Sequence, residues 1–263
     1  MTTLDADAVK HAAQTRLLGR TVHYWEEVDS TNTTLTRLVK EGATEGTVVV
    51  ADTQRAGRGR LGKTWFSPPG VNLHLSVLLK PPIAAADVRL FTLIGSLAIA
   101  DALETHGVKP QVKWPNDVLL NDKKIGGILA EVQFSDAHVS AVILGIGVNL
   151  NISRDDMNRH YGEAASGATS LYEALGHTVD RNAFAARLLE YLEQRHFHFL
   201  SHGKQPLLAE WRRRSFLGRR VTVREDEIQV EGIARDLDEN GCLIVTLDDG
   251  STVHVREGEV RPL

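Results

Sequence analysis

The 263-residue chain has a single cysteine, Cys242, so no intrachain disulfide can form and a tetracysteine zinc site is excluded. A reducing compartment fits that usage. Long apolar runs are also missing. The longest stretch, residues 90–103, is broken by Thr, Gly, Ser and Asp, and residues 1–20 carry Asp5, Asp7, Lys10 and Arg16, so neither a membrane span nor a signal-peptide core is read. A soluble, unsecreted, cytoplasmic protein with no membrane partner is expected. An excess of positive charge is absent as well: the formal net charge is −4, which gives no overall electrostatic reason to bind nucleic acid. Any anion site must be local, and no DNA partner is expected. Internal repeats and low-complexity tracts are not found.

What is present is an ordinary globular composition, long enough for one sizeable core and a small appended unit. Residues 4–18 read as a helix, and Asp29, Ser30, Thr31 and Asn32 offer N-caps for a second running to about Lys40. Residues 47–52 are β-branched and apolar, and Val71, Leu73, Leu75, Val77 and Leu79 alternate with mainly polar residues, predicting two strands. Residues 87–106 carry apolar side chains at helical spacing. Strands are predicted over 111–114, 118–120, 124–134 and 139–150, with Asn121-Asp122 as a turn signal before the third. Helices follow over 180–202 and 206–214. From Leu217 onward short β-rich runs at 221–223, 228–233, 243–247 and 252–255 are separated by polar turns, which suggests a small β-barrel.

Three polar clusters interrupt this framework. Residues 57–64, Gly-Arg-Gly-Arg-Leu-Gly-Lys-Thr, satisfy both the P-loop and the GxGxxG spacing, each of which requires a helix next. Instead Trp65-Phe66-Ser67-Pro68-Pro69-Gly70 follows, and its prolines and glycine stop any helix, so both motifs are rejected. What remains is a glycine-rich loop between strands bearing Arg58, Arg60 and Lys63. It could close around a phosphate, or be a solvated basic turn or a nucleic-acid contact. The second cluster, Lys113-Trp114-Pro115-Asn116-Asp117, places a cation, a ring, an amide and a carboxylate around a proline, where a strand-ending turn is the alternative. In the third, Gly126 and Gly127 sit inside an apolar strand beside Lys124, which calls for close approach by a ligand, or for a bulge. Residues 145–149 repeat the theme and end on Asn149.

Taken in order, Ser30-Thr31-Asn32, Gln54, the 56–60 run, Lys113–Asp117, Lys124–Gly127 and 145–149 resemble a biotin–protein ligase (biotin–[acetyl-CoA-carboxylase] ligase) from about residue 20 to the end. The resemblance implies an α/β (α+β) fold: a mixed-sheet, class II synthetase-like biotin/lipoate ligase catalytic domain over 1–216, and a C-terminal SH3-like β-barrel over 217–263. It implies formation of biotinyl-5′-AMP from biotin and ATP with Mg²⁺, then transfer of biotin to a lysine of a biotin carboxyl carrier domain. Carried over residue by residue, Ser30, Thr31, Asn32, Gln54, Gly57, Arg58, Gly59, Arg60, Lys124, Gly126 and Gly127 would form the biotin side. Arg58, Arg60, Trp65, Lys113, Asn116 and Asn149 would form the nucleotide side, with Trp65 packing on adenine. Arg58, Lys124, Lys113 and Asp117 would be the catalytic group, and no metal ligand is assigned. Lys63 stands where many members have arginine, keeping the charge but losing bidentate geometry. Only about thirty residues precede Asn32, so the N-terminal DNA-binding domain of the repressor members is not expected. A homodimer through a sheet edge is common in that family.

The chemistry brings two anions together, a carboxylate and the α-phosphate, so fixed positive charge is needed, and loop closure would keep water from the mixed anhydride. Asp117 could orient the attacking lysine or be a turn residue. Cys242 reads as a small core residue, His196, His198 and His202 as an exposed helix face, and Arg212-Arg213-Arg214 as a solvated helix end that could also guide an acidic carrier.

Overall fold

The computed structural model describes residues 3–136, 138–225 and 228–263. Its larger sheet is built from β1 (Val22–Val28), β2 (Val48–Gln54), β3 (Leu73–Leu79), β4 (Gln111–Lys113), β5 (Asp117–Leu120), β6 (Lys123–Ser135) and β7 (His138–Val148), in the order β1-β2-β3-β7-β6-β5-β4. The β1–β2 pair is parallel and the rest are antiparallel, giving a mixed sheet. A parallel pair needs a crossover, and helix α2 (Thr31–Lys40) supplies it. Helices α3 (Leu90–Glu104) and α6 (Arg181–His202) cover one face of the sheet, and the outer part of the other face packs on α2 through Leu35, Val49, Leu78 and Ile143.

This sandwiching explains one departure from expectation. Strand β3 reads as half-exposed, yet all seven of its residues are buried. Leu73, Leu75, Val77 and Leu79 enter the main core, while His74 and Ser76 face the side on which the cavity opens. The Asn121-Asp122 turn is as expected: φ values of 51° and 61° are those of a two-residue hairpin with both central residues left-handed.

Other elements differ from the reading. The first helix, α1, is only Ala6–Ala12; residues 14–18 leave it because Glu190 and Glu193 accept their backbone N–H groups, Glu193 taking those of Arg16, Leu17 and Leu18 at 2.7–2.8 Å. Strand β1 and helices α4 (Arg154–Tyr161) and α5 (Leu171–Leu175) were not anticipated. His196 is buried against Phe91 rather than exposed. In helix α7 (Lys204–Arg214) the arginines are ties rather than a solvated end: Arg214 pairs with Asp101, Glu104 and Glu210, and Arg212 reaches Asp236 and the Leu237 carbonyl. Arg213 alone of the three is exposed.

The C-terminal part is a five-stranded antiparallel sheet of β8 (Arg220–Glu225), β9 (Ile228–Leu237), β10 (Leu243–Thr246), β11 (Thr252–Val255) and β12 (Glu259–Pro262), ordered β11-β10-β9-β8-β12. Its apolar residues Val221, Ala234, Leu243 and Val260 belong to the same continuous core as the large sheet. Trp114 is buried and donates its indole N–H to the Gly241 carbonyl at 2.9 Å, so this residue of the second cluster joins the two parts. Cys242 is a buried thiol beside Arg89, in keeping with a small core residue.

Candidate active site

The basic loop is a hairpin. Trp65 N–H donates to the Gly57 carbonyl at 2.8 Å and Gly59 N–H to the Lys63 carbonyl at 2.6 Å, with Leu61 and Gly62 at φ of 54° and 70° making the turn. No helix follows, in keeping with the rejected phosphate-loop motifs. Gly57 is required by packing: a Cβ there would lie 2.3 Å from the Trp65 carbonyl oxygen. The hairpin stands over the start of α2, the end of β2, the first half of β6 and the end of β7. Together they enclose a cavity of about 170 Å³.

On one side of the cavity the first turn of α2 presents Ser30, Thr31 and Asn32, all buried. Ser30 occupies the N-cap position but makes no side-chain cap bond, which leaves its hydroxyl for other use. Gln54 accepts the Thr31 N–H at 2.9 Å and donates to Ser67 Oγ at 2.9 Å. Ser76 lies 2.7 Å from Thr31 Oγ1 and donates to Asn32 Oδ1 at 2.6 Å. Asn32 in turn donates to Glu131 at 2.8 Å. Gly145 makes room for this: a Cβ there would lie 2.3 Å from Asn32 Oδ1.

The opposite side carries the charge. Asp117 sits between Lys124, at 2.5 Å, and Lys113, at 3.2 Å. Burial alone would push its carboxyl up, but the two ammonium groups outweigh that and hold it below the ordinary carboxylate range. The carboxylate therefore fixes both lysines and is a poor proton acceptor. Arg60 is partly buried, and desolvation lowers its pKa against the pull of Glu257 and Asp117. Among the described residues it has no ion-pair partner within salt-bridge distance, the condition of a cation awaiting an anion. Arg58 instead lays its fork on Glu131, at 2.8 and 3.0 Å.

Trp65 forms part of the floor. Its indole lies on the bare backbone of Gly147, where a Cβ would meet ring atoms at 2.4 Å, and against Gly127, the cross-strand partner of Gly147. Lys124 Nζ stands 5.5 Å from the ring centroid, and the indole N–H donates to His74 Nδ1 at 3.3 Å. Burial, with Arg181 nearby, brings the His74 pKa down to about 3, so the imidazole is neutral and can accept that bond. Gly127 and Gly147 are thus explained by close approach of a ring, while the β5–β6 register shifts beside Gly126, so the alternative reading of a bulge also holds there.

Of the residues expected at the site, the cavity brings together Ser30, Thr31, Asn32, Gln54, Arg58, Gly59, Arg60, Trp65, Lys113, Asn116, Asp117, Lys124 and Gly127. Gly57 closes the hairpin, and Gly126 packs on the Gly147 carbonyl. Asn149, expected at the nucleotide, does not face the cavity. It is buried and bonded to Tyr161, Asn72 and the Thr169 carbonyl, which takes up both acceptor positions of its amide oxygen and one of its two N–H donors. Sequence reasoning missed Ser67, His74, Ser76, Glu131 and the segment 258–260. That segment lines the cavity from the C-terminal sheet, where Glu259 pairs with Lys63 at 2.8 Å and the Val260 carbonyl accepts from Lys113 at 3.2 Å.

Among the described residues no three His, Cys, Asp or Glu side chains are placed to hold a metal ion. The carboxylates at the cavity already face cations: Asp117 two lysines, Glu131 Arg58, and Glu259 Lys63. This donor set does not fit a resident Mg²⁺.

Comparison with known proteins agrees with the geometry. Residues 24–149 match the biotin/lipoate A/B protein ligase family, and residues 216–261 match the biotin protein ligase C terminal domain. The biotin--[acetyl-CoA-carboxylase] ligase of Paracoccus denitrificans is 34% identical over 224 residues, covering 82% of this chain and 90% of that one. The corresponding ligase of Mycobacterium tuberculosis is 35% identical over 252 residues, covering 90% and 89%. A biotin protein ligase from Aquifex aeolicus, solved in complex with biotin and ATP, superposes with a TM-score of 0.79 at 29% identity, covering 93% of this chain and all of that one. The two matched domains, the identity to relatives over most of both chains and the shared fold make this chain a member of the biotin protein ligase family.

Proposed function

We infer that the protein is an ATP-dependent biotin–protein ligase that makes biotinyl-5′-AMP and passes biotin to a lysine of a biotin carboxyl carrier domain. The observation that carries this reading is a single cavity with neutral hydrogen-bonding groups on one side and Arg60, Lys113 and Lys124 on the other, roofed by a basic hairpin. Ser30, Thr31 and Gln54 offer the polar contacts that a ureido ring needs. Lys124, fixed by Asp117, and Arg60, which has no ion-pair partner among the described residues, stand where carboxylate and α-phosphate must meet.

In the first step a biotin carboxylate oxygen bonds to the α-phosphorus and the bond to the bridging oxygen breaks, releasing pyrophosphate. Charge accumulates on the α-phosphate oxygens, and preorganised cations favour that state over the ground state. Mg²⁺ enters as part of the MgATP substrate, held by its phosphates. In the second step a neutral lysine amine attacks the acyl carbon, AMP leaves with the bonding electrons, and the amine proton is lost. No acyl-enzyme is needed. Trp65, Lys113 and Asn116 line the nucleotide end, and the segment 258–260 ties the ligase part, through residue 216, to the C-terminal part from residue 217.

A homodimer, a cytoplasmic location and the absence of a DNA partner complete this reading. No helix among the described residues is long and apolar enough to cross a membrane. The direct test is labelling: the protein, MgATP, biotin and an isolated carrier domain should give biotin on one carrier lysine. A carrier left unlabelled, with ATP and biotin intact, contradicts the assignment.

A further inference from the structure

The polar side of the cavity is one continuous hydrogen-bonded chain that starts on the basic hairpin at Arg58 and ends just beyond it at Ser67. At one end Arg58 Nη1 and Nη2 meet Glu131 Oε1 and Oε2 at 2.8 and 3.0 Å. Glu131 Oε2 also accepts from Asn32 at 2.8 Å, and the path continues through Ser76, Thr31 and Gln54 to Ser67, two residues past Trp65. Glu131 supplies the one carboxylate in this path. It stands on β6 in line with Gly127 and Leu129, where the sheet itself has no need of a charge.

A guanidinium gripped on both nitrogens by a carboxylate already has the bidentate partner that a substrate carboxylate or phosphate would otherwise provide. While Glu131 holds it, the Arg58 fork is not open to the reacting groups, in contrast to Arg60. The pair is half-exposed, so its contribution to overall stability is small. Its effect is local: it fixes where the hairpin begins relative to α2.

We propose that Glu131 is a positioning residue for the ligation. It clamps Arg58 and Asn32 together so that the hairpin closes against the biotin end of the cavity, and it leaves charge stabilisation of the α-phosphate to Arg60 and Lys124. This rests on the biotin-ligase reading for its substrate. The clamp itself is a property of the empty protein and is tested separately.

The experiment compares wild type with Glu131→Gln and Glu131→Ala in biotin-dependent exchange of pyrophosphate into ATP. The biotin KM is expected to rise about tenfold in both variants, with the ATP KM and kcat within about twofold of wild type. Sodium acetate should restore part of the Glu131→Ala loss by refilling the carboxylate position, and sodium chloride at equal ionic strength should not. A raised ATP KM, a lowered kcat, or a raised kcat from a freed Arg58 overturns the proposal and makes Arg58 a phosphate ligand. Amide hydrogen exchange without ligand reads the clamp alone: Gly59 and Trp65, whose N–H groups close the hairpin, should exchange faster in Glu131→Ala. Unchanged exchange at those amides rejects the clamp whatever the substrate.

Discussion

Removing the unpaired cation should separate catalysis from stability. Arg60 is held partly out of water with no ion-pair partner among the described residues, and burial lowers its pKa despite Glu257 and Asp117. The empty protein therefore gains nothing from this charge, and the bound anion gains all of it. In Arg60→Ala the loss of one preorganised donor at developing charge costs about 3 kcal/mol of transition-state stabilisation, a little over about 100-fold in adenylation rate. Thermal stability should be unchanged or slightly higher, since a desolvated charge is removed. The adenylate, less firmly held, should escape and label lysines of a bystander protein, and Arg60→Gly should do the same with a looser hairpin. Pyrophosphate exchange, a melting curve and biotin blotting of added albumin measure the three effects. A variant that melts several degrees lower while keeping exchange and releasing no adenylate would refute the reasoning, because Arg60 would then be a structural residue.

Three further outcomes follow from the same geometry. The Asp117 carboxyl is pulled below its ordinary range, so the stability it contributes is present above about pH 4 and is lost as pH falls through its folded value; the Tm difference between wild type and Asp117→Asn should shrink to nothing in acid, and a difference that persists there contradicts the ion triad. His74 titrates near 3 when folded and near 6.5 when unfolded, so below about pH 6.5 the unfolded chain binds the extra proton and stability declines; His74→Gln, which keeps an acceptor for Trp65, should flatten the pH dependence of the urea midpoint between about pH 7 and 5. Trp114→Phe loses the bond to the Gly241 carbonyl, about 1 kcal/mol, and should lower Tm by about 2–4 °C with little change in kcat; an unchanged Tm would remove Trp114 from the joint between the two parts.

Much of this architecture could be read from residue pattern alone, for physical reasons that also mark where reading stopped. β6, β7, α3 and α6 announce themselves because each presents a continuous apolar surface to one core. β1 does not: its sequence, Val-His-Tyr-Trp-Glu-Glu-Val, lies at a sheet edge where no face is fully covered, so no alternation develops. α4 is short and polar and α5 spans only five residues, and their caps at Ser153 and Ser170 are visible only once the chain is seen to turn there. At the site, the cationic and glycine motifs were legible because they are local in sequence. Ser76 and His74 carried a weaker signal, as polar residues in a strand that proves wholly buried, and Glu131 another, as a charge within an apolar strand. The contribution of residues 258–260 had none, since the contact between Lys63 and Glu259 spans nearly the whole domain order and depends on how β12 is brought to the hairpin. Asn149 lies outside the cavity lining: an amide after two glycines is equally suited to a ligand and to a buried turn, and here three neighbours bond it.

The acid that the cavity activates decides between the biotin ligase and its sister activity. Pyrophosphate exchange into ATP with Mg²⁺ should be measured with biotin, lipoate and octanoate as the sole added acid. Exchange with biotin and not with the other two is the result expected from a cavity whose inner end is lined by Ser30, Thr31 and Gln54. Exchange with lipoate or octanoate, and not biotin, would contradict it and assign the same fold to the sister acid.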